Sequence, residues 1–287
     1  MRPSRKILGS IIALFIAVIM ILPGFSILNA FSNSTAERSE VTIYFGRENS
    51  NKALRNLQVK EWYDSFAIAE ITEKQRDLLE SKGYIIEDEP FLHTIALNGY
   101  VFDTREGEPP ISENLRIESY PNGEAGHYII QFIGPIKEEW KREVSRLGAE
   151  IEDYLPHDAF LIKMSEQTRE RLNELDFVQW VGLFQPAYKI RPGLLERRGD
   201  FEVKIITYEG KGIYSVLSML DKDSIMRSYE GDDFGVVKAR IDASLLPDLA
   251  KLDGVRYIEP LYQPRLTNEY MQWIHQTNIL GNRKLWD

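Results

Sequence analysis

Three stretches of the chain carry one hydrophobic signature. Phe66-Ala-Ile-Ala-Glu-Ile71, Asp158-Ala-Phe-Leu-Ile-Lys-Met164 and Val237-Lys-Ala-Arg-Ile241 each read as a strand. A polar-apolar run of helical character follows each one. A second apolar run then begins at Ile85, Val178 and Val255. The offset is 14 positions each time, from Ile71, Met164 and Ile241 respectively. Each intervening run opens on a residue suited to capping: Thr72, Ser165 and Asp242. Thr72 has Gln75 three positions on, the spacing of a capping box. Leu79, Leu172 and Leu249 fall at equivalent places in the three predicted helices.

The pattern extends backwards in two of the three units. In the middle one, strand His127–Ile133, helix Ile136–Leu147 and strand Ala149–Tyr154 precede strand His157–Met164, helix Glu166–Leu175 and strand Val178–Phe184. Ile136, Trp140, Val144 and Leu147 form a helical apolar stripe. In the last unit Phe201, Val203 and Ile205 alternate with Glu202 and Lys204, giving one buried and one wet sheet face. Helix Gly212–Leu220, strand Ser224–Tyr229, strand Asp233–Ile241, helix Leu245–Leu252 and strand Val255–Leu261 complete it. The order βαββαβ predicts an α+β fold of tandem ferredoxin-like modules, antiparallel sheets with helices on one face. The first unit, about 41–97, shows a clear second half and only a short helix, Asn51–Leu57, in its first.

The expected organisation is 1–30 as signal peptide or membrane anchor, 41–97 as a degenerate module and 98–126 as connector. Residues 127–190 and 201–264 are then the two full modules, with 265–287 as tail. Expected core positions are Phe160, Ile162, Met164, Leu172 and Val178, matched by Val237, Ala239, Ile241, Leu249 and Val255.

Composition narrows the chemistry. The chain has 287 residues, 43% hydrophobic and 28% charged, an ordinary globular balance. Its net charge of −9 argues against non-specific nucleic-acid binding, which needs a basic surface. Cysteine is absent, which excludes disulfides, a thiol nucleophile and Cys-ligated metal. His93, His127, His157 and His275 are too scattered for a helical metal pair, and no cofactor is expected. No phosphate-cradling glycine loop or serine elbow occurs, and the carboxylates fall mostly on solvent faces. Trp180 and Tyr257 occupy matching strand positions. With an acidic chain, a core or protein-docking role suits them better than base stacking.

Arg2, Arg5 and Lys6 precede an uncharged apolar run, Ile7 to Leu22, then Pro23-Gly24 and small residues Ser26 and Ala30. That is the layout of a secretory signal, with a retained anchor as the alternative. The expected location is secreted or extracellular, with membrane contact only through this segment.

Asp253-Gly-Val-Arg-Tyr-Ile-Glu-Pro260 resembles the closing strand of the propeptide inhibitor domain of subtilisin-like serine proteases. Tyr128-Ile-Ile-Gln-Phe132 through Gln185-Pro186 is similar to the duplicate module of long pro-regions, departing at Gly182, where that pattern has Glu. Gln272-Trp-Ile-His-Gln-Thr-Asn278, with Gly281 and Leu285-Trp-Asp287, resembles the first helix of such a catalytic domain. The Asp-Thr/Ser-Gly, His-Gly-Thr and Gly-Thr-Ser motifs of the triad are absent from the sequence. The resemblance therefore implies a non-catalytic pro-region, an intramolecular chaperone and inhibitor of a subtilisin-like catalytic domain. It implies docking through Val255, Tyr257, Ile258 and Glu259. It also implies a cleft-binding tail of Leu261, Tyr262, Gln263, Pro264, Arg265, Leu266, Thr267 and Asn268. Pro260 and Pro264 limit how continuous strand addition by that tail can be. The rival expectation is a stand-alone secreted binding scaffold with no protease partner.

Overall fold

The computed structural model describes residues 37–46, 51–121, 123–208, 212–262 and 279. The expected export segment, the tail from Gln263 to Asn268 and the catalytic-start motif lie outside the described residues. The chain divides into two compact units, Met1–Pro90 and Phe91–Asp287.

The first unit holds strands β1 (Arg38–Tyr44), β2 (Gln58–Trp62) and β3 (Phe66–Thr72), helix α1 (Glu73–Glu80) and strand β4 (Ile85–Asp88). Its sheet runs β2-β3-β1-β4, with every neighbouring pair antiparallel. A 3-10 turn, Asn51–Asn56, stands where a first helix would be. Val41, Ile43, Ala67, Ala69 and Ile71 face Leu54, Leu79 and Tyr84 in one core. The predicted capping box is present. The Thr72 hydroxyl accepts from the Gln75 amide at 3.4 Å, and the Gln75 side chain accepts from the Thr72 amide at 2.8 Å.

The second unit opens with a hairpin, β5 (Thr94–Leu97) and β6 (Tyr100–Asp103). Its turn is Asn98-Gly99, with φ of 49° and 93°, the left-handed pair that a two-residue type I′ turn requires. The middle module follows as β7 (Gly126–Phe132), α2 (Glu138–Arg146), β8 (Glu150–Leu155), β9 (Ala159–Met164), α3 (Glu166–Leu172) and β10 (Val178–Leu183). The last module comprises β11 (Asp200–Tyr208), α4 (Gly212–Met219), β12 (Ile225–Glu230), β13 (Phe234–Asp242), α5 (Leu246–Lys251) and β14 (Val255–Pro260). Their sheets run β10-β7-β9-β8 and β12-β13-β11-β14. Numbered within each module, all three sheets have the order fourth, first, third, second, and all are antiparallel. The α+β class is the one read from the hydrophobic pattern, and the strand order is the one βαββαβ connectivity gives.

Local detail departs from expectation in two places. Asp242 caps not the helix but a 3-10 turn, Ala243–Leu245, by accepting from the Ser244 amide at 2.9 Å, and α5 starts at Leu246, one residue after the expected Leu245. Among the expected core positions, Phe160 and Val178 are only half-buried. Phe160 sits edge-on between Phe132 and Tyr154, and Val178 opens a strand at its ladder end. The other eight positions are buried.

In the middle module, Tyr128, Ile130 and Phe132 face the helices. Phe132 stacks on Trp140 and Phe177. The opposite face of the middle module and the helix-packed face of the last module join in one core, in which hairpin residues Ile95 and Phe102 meet Ile129, Leu161, Tyr188, Val203, Val255 and Ile258. Between the modules, the 3-10 turn Pro186–Lys189 leads Ile190 into a parallel bridge with Ile258 of β14. Gly212 and Gly254 cross so closely that a Cβ on Gly254 would lie 2.3 Å from the Gly212 Cα. Because that contact is backbone, Gly254→Ala is expected to lower the chain's stability by about 1–3 kcal/mol, read from a urea unfolding midpoint.

Candidate partner-docking surface

Two sheet faces in the second unit lie opposite their helices, and they differ in what covers them. On the middle module, His127, Ile129 and Gln131 of β7 pair with Lys163, Leu161 and Ala159 of β9, which places these residues on one face. The hairpin covers it. Gln131, fully buried, donates to the Thr94 carbonyl at 2.9 Å and accepts from the Thr104 hydroxyl at 3.1 Å. Gln179 donates to the Leu92 carbonyl at 2.6 Å. Trp180 meets Phe102 edge-on, with ring centroids 5.8 Å apart. Gly182 lies beneath the same indole: a Cβ there would stand 2.1 Å from the ring. The sequence departure at Gly182 therefore has a packing cause. The face that would carry a glutamate is filled by the chain's own Trp180.

The last module's face is open. Register aligns Tyr229, Val236, Ile206 and Tyr257 in one row across four strands. The next row is Arg227, Lys238, Lys204 and Glu259. Tyr229 is 59% exposed and Phe234 42%. Ile206, Phe234 and Tyr257 also border a cavity of about 470 Å³ whose far wall includes Leu97, Leu155 and Phe184. The face is thus an apolar strip beside a charged one, with a recess at one side.

The expected docking strand is divided by this geometry. Val255 and Ile258 are fully buried and belong to the core, so they cannot touch a partner. Tyr257 and Glu259 lie on the open face, half-buried. A bulge opposite Ile206 and Thr207 accommodates Arg256 and brings Val255 and Ile258 to the same side. Glu259 is paired with Lys204 at 2.5 Å. Leu261 continues the ladder by donating to the Glu202 carbonyl at 3.0 Å. Tyr262 is exposed, with the Arg191 guanidinium 5.8 Å from its ring centroid.

A charged cluster lies at the joint between the two modules, and the sequence pattern gave no sign of it. The imidazole of His127, 1% exposed, stacks on Tyr208 of β11 with centroids 4.6 Å apart. Its Nδ1 is 2.9 Å from Asp253 Oδ1, and its Nε2 is 3.3 Å from Glu152 Oε1 without the alignment of a hydrogen bond. Lys163 is 3.5 Å from Asp253, and Arg256 reaches Asp153 at 2.6 Å. Lys189, buried, donates to the Leu252 carbonyl at 2.9 Å. Its burial pulls the amine down to about 8, although the carboxylates of Asp253 and Glu152 oppose this. The hydrogen bond from His127 holds Asp253 down at about 2. For His127, burial acts to lower the pKa, but the Asp253 hydrogen bond and the charges of Glu152 and Asp253 outweigh it and the net shift is upward. Among the described residues, no group of three or more His, Asp or Glu side chains is placed to hold a metal ion.

Comparison with known proteins adds a partial protease connection. Residues 96–185, the hairpin and middle module, match a family model described as Domain of unknown function (DUF8729). The chain is 30% identical over 77 residues to Serine protease/ABC transporter B family protein tagD of Dictyostelium discoideum, covering 22% of this chain and 4% of that protein. It is 28% identical over 94 residues to Serine protease/ABC transporter B family protein tagB of the same organism, covering 28% and 5%. The chain thus spans only a small fraction of the length of these relatives, and the similarity is to serine protease-named proteins in part of the chain. No solved structure matches. No helix among the described residues is long and apolar enough to cross a membrane.

Proposed function

We propose that this chain is the non-catalytic pro-region of an exported subtilisin-like serine protease, serving a catalytic domain as folding assistant and inhibitor. The single observation that supports this best is the contrast between the two sheet faces. The middle module's face is filled from within, whereas the last module presents an open four-strand row that ends in the chain leading to the tail. Partial similarity to serine protease-named proteins points the same way. In this reading Tyr257 and Glu259 meet the partner, Val255 and Ile258 hold the strand in place, and the segment from Leu261 to Asn268 enters the cleft. Strand addition supplies the tail's main-chain hydrogen bonds.

The test adds purified chain to a subtilisin-like catalytic domain. Inhibition is expected at micromolar concentration. Truncation after Ile258 should abolish it with the fold retained, and Tyr257→Ser should raise the inhibition constant about tenfold, as loss of a central aromatic anchor does. Glu259→Ala should act more weakly, about 0.3–1 kcal/mol, because Lys204 already shares that carboxylate. A catalytic domain left fully active, and not helped to refold, would sink this reading. The rival is a stand-alone binding scaffold. It draws support from the single core that joins hairpin, middle module and last module.

A further inference from the structure

We infer that the joint between the middle and last modules is a proton-operated latch, with the His127 imidazole as its switching group. The inference does not rest on the protease reading, because it concerns only how two modules of one chain hold each other.

His127 is carried by β7 of the middle module, and its strongest partner, Asp253, lies in the loop between α5 and β14 of the last. The ring is sandwiched where both modules converge. Tyr208 from β11 covers one face, Glu152 from β8 stands at Nε2, and Asp253 stands at Nδ1. Lys163 from β9 and Lys189 from the 3-10 turn are the cations beside Asp253. Tyr120 reaches the His127 carbonyl through its hydroxyl at 3.2 Å. These groups, with the Arg256–Asp153 pair and with Glu150 and Asp233 on the cavity that the ring borders, are the charged and titratable neighbours of the ring.

Protonated, the imidazolium places positive charge between two carboxylates from different modules. Neutral, it can still donate from Nδ1 to Asp253. Nε2 then points a lone pair at Glu152 Oε1 from 3.3 Å, and both Nε2 and the other carboxylate oxygen, Oε2, are buried without a hydrogen bond. An unpaired polar contact in such a place opposes closure. A polar cavity of about 590 Å³, bordered by His127, Glu150, Glu152, Lys163 and Asp253, gives the ring a route for proton exchange.

The signs of the two titrations differ. His127 has a folded-state pKa above its ordinary 6.5, so its contribution is complete below 6.5 and disappears as pH rises through the raised value. Asp253 is depressed from 3.8 to about 2, so its contribution is present above 3.8 and disappears as pH falls towards 2. Both contributions are complete in the window between, whereas Lys189, held at about 8, acts in the opposite sense and favours the joint as pH rises above that value.

Hydrogen exchange on the full chain tests the latch. The Arg191 amide donates across the joint to the Ile258 carbonyl at 3.0 Å and reports its closure. Its protection factor, corrected for the intrinsic pH dependence of exchange, should fall roughly three- to tenfold between about pH 6 and pH 9. The His127→Gln chain, which keeps a donor without a titrating charge, should start lower and show no fall over that range, only the opposite rise that neutralising Lys189, held at about 8, brings. Should that variant fail to fold, Asp253→Asn serves instead, and it should move the His127 ring titration, followed by NMR, downward. Unchanged protection in the natural chain overturns the proposal. So does an equal slope in His127→Gln, or a His127 ring titrating at or below 6.5. No protease enters the experiment, so its failure would leave the docking reading untouched.

Discussion

Gly182→Glu, which restores the side chain seen at this position in the propeptide pattern, is expected to destabilise the second unit by about 3 kcal/mol or more. Two effects combine. The Cβ alone would lie 2.1 Å from the Trp180 ring, and that ring cannot move away freely because Phe102 packs against it. The carboxylate would then sit beneath the hairpin, in a buried segment. The measurement is a urea unfolding midpoint for the second unit. A Gly182→Glu chain as stable as the natural one would mean that the hairpin lifts from the face at little cost. The double variant Gly182→Glu, Trp180→Ala should recover part of the loss, since it removes the clash but keeps the buried charge.

Tyr188→Ala should cost a comparable amount, about 3–5 kcal/mol. The ring is fully buried and lies within 5.2–6.3 Å, centroid to centroid, of Tyr100, Phe102 and Phe184. Its backbone carbonyl accepts from the Asn98 side chain at 2.8 Å, which ties the hairpin turn to the inter-module segment. Truncation would leave a cavity where hairpin and inter-module segment meet. Tyr188→Phe makes a discriminating control. The Tyr188 hydroxyl is buried without a hydrogen bond, so its removal should be neutral or mildly stabilising. Equal losses from both variants would place the value of Tyr188 in an unseen polar contact rather than in its ring.

The repeated modules were legible because their signal is periodic. The 14-residue offset and the caps at Thr72 and Ser165 reflect local rules that tertiary packing does not overrule. The hairpin was missed for a different reason. Its signal was present in Leu97-Asn98-Gly99-Tyr100, but strands of four residues are too short to show alternation against a connector. The docking strand was half legible. Plain alternation groups Val255, Tyr257 and Glu259, and only the bulge beside Ile206 reveals that Val255 and Ile258 share the core. The joint around His127 was not legible, because its partners come from β8, β11 and the α5–β14 loop, as far as 126 positions along the chain. A lone histidine at a strand start reads as a surface residue until the other module arrives.

The sheet order has an effect on how such a chain can change length. In each module the first and fourth strands are antiparallel neighbours: Val41 faces Asp88, Tyr128 faces Leu183, and Val203 faces Pro260. The chain therefore enters and leaves each module side by side, about 5 Å apart, the spacing of facing residues in an antiparallel ladder. Each module is a nearly closed loop hung on the thread of the chain. Excising or duplicating one whole loop displaces the flanking thread by little more than one peptide step. Gene duplication could therefore lengthen the array without requiring a new linker, and copies were free to diverge into one face that is plugged and one that is bare.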